Sequence, residues 1–284
     1  MTGLDFTVDG FSLSGVDAFR VEWSTQKASG WHDAPPMRTG RQAKAQQSGA
    51  WPATGFKGER LVTLSGLATA PDTRAIEAAG RRLAAVLASG QMGDLVGISD
   101  FGVLSASVSL EDAPVFELIS DRHAVWQLTV VAPDPLLYGR ATYGSASLSA
   151  ATPGAGKVYP LVYPVSYGIA SGVTPGAVTV TNGGSAAYWP RLRIDGPSPS
   201  PVVTLVESGA WVRFNGTLLA GQWLDFDLAN RLVLLNGRVS VRQSVSFSGD
   251  WLAVRPGGGS ISWTDNGGAP AALLSVWACE GAYV

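Results

Sequence analysis

Trp211-Val212-Arg213-Phe214-Asn215-Gly216-Thr217-Leu218-Leu219-Ala220-Gly221-Gln222-Trp223-Leu224-Asp225-Phe226-Asp227-Leu228-Ala229-Asn230-Arg231-Leu232-Val233-Leu234-Leu235-Asn236-Gly237 is the stretch that decides the fold class. Apolar and polar residues alternate in short runs, the period of a strand with one buried face. Asn-Gly pairs punctuate the runs, and Asn-Gly is the dipeptide best suited to a tight hairpin. The same pair recurs at Asn182-Gly183 and Asn266-Gly267, with strand-like runs over Ala177 to Val180, Pro190 to Ile194, Val202 to Glu207, Trp251 to Val254, Ile261 to Trp263 and Ala272 to Ala278. Short strands at this spacing predict a β-sandwich or jelly roll over residues 176–284. Asn215-Gly216-Thr217 also matches a glycosylation acceptor, and it is read here as a turn.

Moving toward the N-terminus, residues 139–175 turn to Gly, Ala, Ser, Pro and Tyr with almost no charge, which marks a lead-in between two domains. Pro133-Asp134-Pro135 ends the strand before it, because proline has no N–H for a ladder. Residues 1–138 then read as a first β domain with strands at Phe6 to Leu13, Ala18 to Trp23, Leu61 to Leu67, Val103 to Leu110, Val115 to Ile119 and Ala124 to Ala132. A Ser14-Gly15 turn is expected to join the first two. One helix is predicted near 72–89: Asp72 or Thr73 caps it, Ile76, Ala79, Leu83 and Val86 share a face, Gly90 ends it, and Arg74, Arg81 and Arg82 form its solvated side. From Gln26 to Gly58 the strand pattern breaks. A long interruption carrying Trp31, Arg38, Arg41, Trp51 and Phe56 is read as an arm that grips a partner, since a solvated linker has little use for large aromatics.

The chain has 284 residues, nearly half of them apolar, and a formal net charge of −2. That composition supports a sizeable core, and no basic patch stands out to hold nucleic acid by its phosphates. One cysteine, Cys279, excludes an intramolecular disulfide and reads as a buried thiol within a strand. Met1 to Phe6 has no basic region followed by an apolar run, and no apolar stretch approaches the roughly 18 residues of a membrane helix. The expectation is assembly in a cytoplasm, away from membranes.

The residues give no chemistry to build on. His32 and His123 lie far apart and without metal-ligand spacing, no Walker A or dinucleotide fingerprint is present, and Gly257-Gly258-Gly259 reads as a β-turn. Asp225 and Asp227 share a strand face about 7 Å apart, near a glycosidase spacing, yet they fit a plain solvent-facing alternation. Trp211, Trp223, Trp263 and Trp277 fit core or interface positions better than a sugar platform. No catalytic, cofactor or metal residue is assigned, and the chain is expected not to be an enzyme.

Two segments resemble a known family. Ala132-Pro133-Asp134-Pro135-Leu136-Leu137-Tyr138-Gly139 is similar to the domain junction of siphophage distal tail proteins. Val178-Thr179-Val180-Thr181-Asn182-Gly183-Gly184-Ser185-Ala186-Ala187-Tyr188-Trp189-Pro190, leading into Arg191 to Pro197, resembles the start of their C-terminal domain. Phe214 to Thr217, Ala220 to Asp227, Arg231 to Gly237 and Gly249 to Gly257 continue the likeness in order and spacing.

The resemblance implies a mainly β protein: an N-terminal split β-barrel with one α-helix, and a C-terminal galectin-like β-sandwich. It further implies a hexameric ring at the phage tail tip that joins the tail tube protein to the hub or tail-fibre protein. Such a ring leaves a channel through which DNA passes only as cargo, and presents receptor-binding proteins. The arm would then contact the neighbouring copy, and the chain would reside in the virion. A carbohydrate-binding sandwich that recognises host cell-wall glycans is the alternative.

Overall fold

The computed structural model describes residues 4–148, 176–266 and 271–284. The chain divides into two compact units, Met1–Arg140 with Tyr283–Val284, and Ala141–Ala282.

The first unit runs β1 (Asp5–Val8), β2 (Phe11–Ser12), β3 (Gly15–Val16), β4 (Glu22–Ser29), then four short arm strands, β5 to β8 (Met37–Thr39, Gln42–Ala43, Ala50–Trp51, Gly55–Lys57). After these come β9 (Arg60–Thr69), α1 (Thr73–Ala85), β10 (Gly93–Ser99), β11 (Gly102–Leu110), β12 (Val115–Leu118), β13 (His123–Ala132) and β14 (Leu137–Tyr138). The main sheet follows the order β2-β1-β10-β11-β13-β9-β4-β3. Its ladder does not close. Yet its two ends, β2 and β3, are separated in sequence only by Leu13 and Ser14, so the sheet curls round and chain rather than hydrogen bonding joins its edges. Leu13 spans the split: its N–H donates to Phe6 O of β1 at 2.8 Å, and its carbonyl accepts from Thr25 Oγ1 of β4 at 3.0 Å. The mainly β unit with one helix is as expected, while the split barrel that the resemblance implied is found only as an open, curled sheet whose ladder does not close.

Inward residues of the sheet bury Phe6, Val8, Trp23, Val62, Leu64, Leu95, Val108, Trp126 and Leu128 in one core. Helix α1 lays Ile76, Ala79 and Leu83 against it, and the Ile76 and Leu83 side chains contribute about 1.5–3 kcal/mol each. Asp72 caps the helix by accepting from Ala75 N at 2.8 Å. Arg82 departs from the expected solvated side. It pairs with Asp17 at 2.6 Å and lies 4.2 Å from the Phe19 ring centre, tying the helix to the loop after β3. One further expectation is corrected and one strand is added. The turn in the first hairpin is Asp9-Gly10, both at positive φ, so Phe6 to Leu13 is two strands. Strand β10 was missed because Gly93 and Gly97 dilute its alternation; Gly97 is required because a Cβ there would fall 2.5 Å from Trp31 Cζ2.

The second unit contains β15 (Ala141–Ser147), β16 (Gly176–Val180), β17 (Arg191–Asp195), β18 (Ser198–Pro199), β19 (Val202–Leu205), β20 (Ala210–Phe214) and β21 (Thr217–Leu218). It continues with β22 (Trp223–Asp227), β23 (Leu232–Leu235), β24 (Val239–Ser240), β25 (Val245–Ser248), β26 (Gly259–Thr264) and β27 (Leu273–Cys279). One antiparallel sheet is ordered β15-β27-β17-β22-β23-β24 and the other β16-β26-β19-β20-β25. They form a sandwich whose buried residues include Leu192, Ile194, Leu224, Phe226 and Val276 from the first and Val178, Val203, Val212, Ile261 and Trp263 from the second. Ala141–Ser147, expected in the lead-in, is instead a strand paired along its length with β27; the remainder of the lead-in, residues 149–175, lies outside the described residues.

Of the Asn-Gly pairs, Asn236-Gly237 makes a hairpin, with Leu235 opposite Val239 and both turn residues at positive φ. Asn182 does something else. Its buried amide donates to Ala186 O and Val254 O at 2.8 and 2.9 Å and accepts from Gly184 N and Ala282 N, binding three segments at one point. Asn215-Gly216 links β20 to β21, which pairs with β18 rather than folding back. Gly267 falls outside the described residues.

Candidate functional site

The interruption after β4 folds as a hairpin. Met37–Thr39 pairs with Gly55–Lys57, placing Arg38 opposite Phe56, and Gln42–Ala43 pairs with Ala50–Trp51. Its side chains point almost entirely into solvent: Trp51 is 61% exposed and Phe56 66% exposed, and Arg38 and Arg41 are exposed too. Lys44 sits 5.1 Å from the Trp51 ring centre. These four expected arm residues therefore lie together on a projecting arm. Trp31 does not. It is buried in the first unit's core, edge-on to Phe6 at 5.1 Å, because the chain at Gly30–Asp33 still belongs to the barrel.

What holds the arm's root is a residue that pattern reading passed over. Arg60, at the start of β9, is buried with a relative exposure of 1%. Its Nη1 donates to Gly30 O and Asp33 O, both at 2.7 Å, and to Trp31 O at 3.3 Å; its Nε donates to Pro135 O at 2.8 Å. Burial lowers the guanidinium's pKa and the nearby Asp33 carboxylate opposes that shift. One side chain thus staples the start of the arm to the strand that follows it and to the Pro133-Asp134-Pro135 junction. Within that junction Tyr138 Oη donates to Asp134 at 2.6 Å, and Asp134 also accepts from Leu136 N at 3.1 Å. The signal in the sequence was faint: an arginine immediately before an apolar strand.

On the second unit, the outward face of the β15-β27-β17-β22-β23 sheet carries a row Tyr143, Trp277, Arg191, Asp227 and Leu232, set side by side by the strand register. A groove of about 550 Å³ is lined by Trp277, Arg191, Asp225, Asp227, Leu232 and Leu234, among others. Trp277 is 44% exposed and stacks at a tilt on Tyr143, 5.5 Å centre to centre. Asp225 accepts from Trp223 Nε1 at 2.9 Å, and Arg193 lies over the Trp223 ring at 4.5 Å. Burial pushes the Asp227 carboxyl up, but hydrogen bonds from Asn230 and the Arg191 charge outweigh it, so its pKa lies below the ordinary carboxylate range. Asp227 is thus held ionised, the opposite of what a general acid near neutral pH requires. Of the other tryptophans considered, Trp263 is core, while Trp211 and Trp223 are half-buried. His32 is exposed near the arm, and His123 contacts Thr69 at 3.1 Å across β13 and β9; the structure does not bring the two together. Among the described residues no three His, Cys, Asp or Glu groups gather as a metal site, and no helix is long and apolar enough to cross a membrane.

Over its length the chain has the fold of a phage tail hub component. It matches the crystal structure of SPP1 Dit, described as a paradigm of the hub adsorption apparatus in phages that infect Gram-positive hosts, with a TM-score of 0.61 and 13% identity over 99% of each chain. More loosely, it matches the phage P2 baseplate in its activated conformation with calcium, at a TM-score of 0.47 and 9% identity over 98% of this chain and 99% of that one. The strontium form matches at 0.44 and 10%, with the same coverage. Residues 183–273 match the family model of the siphovirus-type tail component, C-terminal domain. No curated protein matches the chain in sequence. The chain therefore shares the fold of Dit, and residues 183–273 of its second unit are similar to the siphovirus-type tail component, C-terminal domain.

Proposed function

We propose that this chain is a structural component of a phage tail tip, where copies close head to tail into a ring, hexameric in the reading favoured here, between the tail tube and the hub or tail-fibre protein. The observation that carries the reading is the projecting arm on a Dit-like fold. A hairpin bearing Trp51 and Phe56 in solvent has little to hold it there in a lone copy, and aromatic anchors of this kind dominate the energy of contacts. Arm and receptor surface differ, so the contact is heterologous and propagates into a ring. A channel would remain for DNA as passing cargo, and receptor-binding proteins would dock outside. The role is structural rather than enzymatic. Negative-stain imaging with light-scattering mass tests this: wild-type chain gives closed rings, and a variant lacking Ala34 to Ala53 gives monomers. The same closed ring from the deletion variant would sink the arm reading.

The groove beside Trp277 favours a second reading, a glycan-recognising sandwich. An exposed indole face next to Arg191 donors and Asp225 acceptors suits a sugar ring, which stacks by its apolar face and hydrogen-bonds at its edge. Fold alone gives no such function. Titration with host cell-wall polysaccharide checks it: saturable binding lost in Trp277→Ala and kept in Trp189→Ala supports the reading, and binding unaffected by Trp277→Ala removes it.

A further inference from the structure

The modest net charge of the chain conceals a segregation. Residues 34–58 contain Arg38, Arg41, Lys44 and Lys57 and no Asp or Glu; taking those four charges from a chain of net −2 leaves −6 on the rest. Elsewhere on the first unit, residues 4–12 and 91–103 contain Asp5, Asp9, Asp94 and Asp100 and no Lys or Arg. The barrel brings these two segments together as β1 and β10, paired from Asp5 opposite Ile98 to Val8 opposite Leu95, with Asp9 N donating to Asp94 O at 2.9 Å. The alternation turns Phe6, Val8 and Leu95 inward and leaves Asp5, Asp94 and Ile98 on the outside. Phe101, at the tip of the β10–β11 turn, is fully exposed, and Met92 is half exposed. None of these four acids, and none of the arm's four bases, makes an ion pair within the described residues.

We infer that the arm of one copy seats on the outer β1–β10 face of the next copy, guided by charge and anchored by aromatics. The inference rests on the ring reading and names the surface that reading leaves open. Both partners offer what the other lacks: four unpaired cations with exposed Trp51, Phe56 and Met37 on the arm, and four unpaired anions with exposed Ile98, Phe101 and Met92 on the face. Complementary potentials steer encounter and fix register, while like-charge contacts exclude wrong ones, so an arm with no acid selects this face over the rest of the surface. The arm is a poorer fit for nucleic acid, because its cations are matched by an equal set of anions on its own fold, which a second copy presents and DNA does not.

The test uses the full chain, with association followed by light scattering in about 0.1 M and about 1 M NaCl, where the screening length falls from roughly 10 Å to about 3 Å. Three chains are compared with wild type: Arg38→Asp/Arg41→Asp/Lys44→Asp, Asp5→Arg/Asp94→Arg/Asp100→Arg, and both sets combined. Five of the six positions are exposed and Lys44 is half-buried, and circular dichroism verifies the fold. Wild-type association is expected to weaken at least about tenfold in high salt, and each single set to weaken it about as much in low salt. The combined set restores it to within about threefold of wild type, which only direct contact between arm and face explains. Assembly as weak in the combined set as in either single set overturns the inference, as does a face-reversed chain that assembles normally or a wild type monomeric in both salts. The Ala34 to Ala53 deletion separates the two claims: if it still assembles, the arm reading fails. If it dissociates while face reversal is harmless, only this inference fails. A labelled DNA duplex that binds through the arm without self-association also overturns it.

Discussion

Replacing Arg60 with methionine removes the staple at the arm's root while keeping a long apolar stem. Arg60 makes three short hydrogen bonds, to Gly30 O, Asp33 O and Pro135 O at 2.7 to 2.8 Å, and a longer one to Trp31 O. A hydrogen bond from a charged donor contributes about 1.5–3 kcal/mol, so the short three are worth roughly 4–9 kcal/mol before desolvation. Burying a guanidinium offsets several kcal/mol of that. What remains, with backbone carbonyls left without their donor, is a loss of about 3–5 kcal/mol, confined to the first unit. Arg60→Lys recovers little, since a single ammonium cannot reach both Pro135 O and the arm root as the planar fork does. Urea unfolding followed by amide hydrogen exchange reads this: protection falls in β9 and residues 29–33, while β17, β22 and β27 keep theirs. A loss under about 1 kcal/mol in Arg60→Met, or equal loss in both units, would refute the reasoning.

Gly66→Ala is expected to cost several kcal/mol, because the added Cβ runs into the backbone carbonyl of Ser24 on the neighbouring strand and lies 3.0 Å from Trp126 Cζ2; chemical denaturation measures it. For Asp17, burial raises the carboxyl pKa, but hydrogen bonds from Val21 N, Trp23 Nε1, Arg82 and Phe19 N outweigh it and hold it below the ordinary value. A depressed folded pKa means stability present above the unfolded value of about 3.9 and lost as pH falls through the folded one. Asp17→Asn should therefore lower stability at neutral pH and flatten its decline below about pH 4, which melting curves across pH would show. Cys279 is buried, and burial raises its thiol pKa, so a thiol reagent should label it only after the second unit unfolds. Labelling of native chain at the rate of a free thiol would contradict its placement.

The two β domains and the helix were legible because they rest on local pattern. The helix face Ile76, Ala79, Leu83 and the cap Asp72 follow from spacing and one side chain, and both appear as read. The sandwich strands were legible through alternation. What sequence reading mistook was settled by partners far along the chain. Asn182-Gly183 looks like a hairpin, yet its side chain is claimed by Val254 and Ala282, which no local window contains. Trp31 looked like part of the arm because its neighbours are loop-like, and only the small Gly97 across the barrel makes room for it. Arg60 lay unnoticed for the same reason: its acceptors are 27 to 75 residues away. That Arg38, Arg41, Trp51 and Phe56 share one exposed segment was legible through composition, but the acid-bearing β1–β10 face needed the pairing of β1 with β10 to bring Asp5 and Asp94 onto one surface.

The most direct check on the tail-tip reading is immunogold labelling of intact virions that carry this chain, with antibody raised against the arm-deleted variant. Gold confined to the distal end of the tail, at the level where tube meets fibre, is the result this account predicts. Gold along the tube, on the head, or on no part of particles shown by mass spectrometry to contain the chain would contradict it.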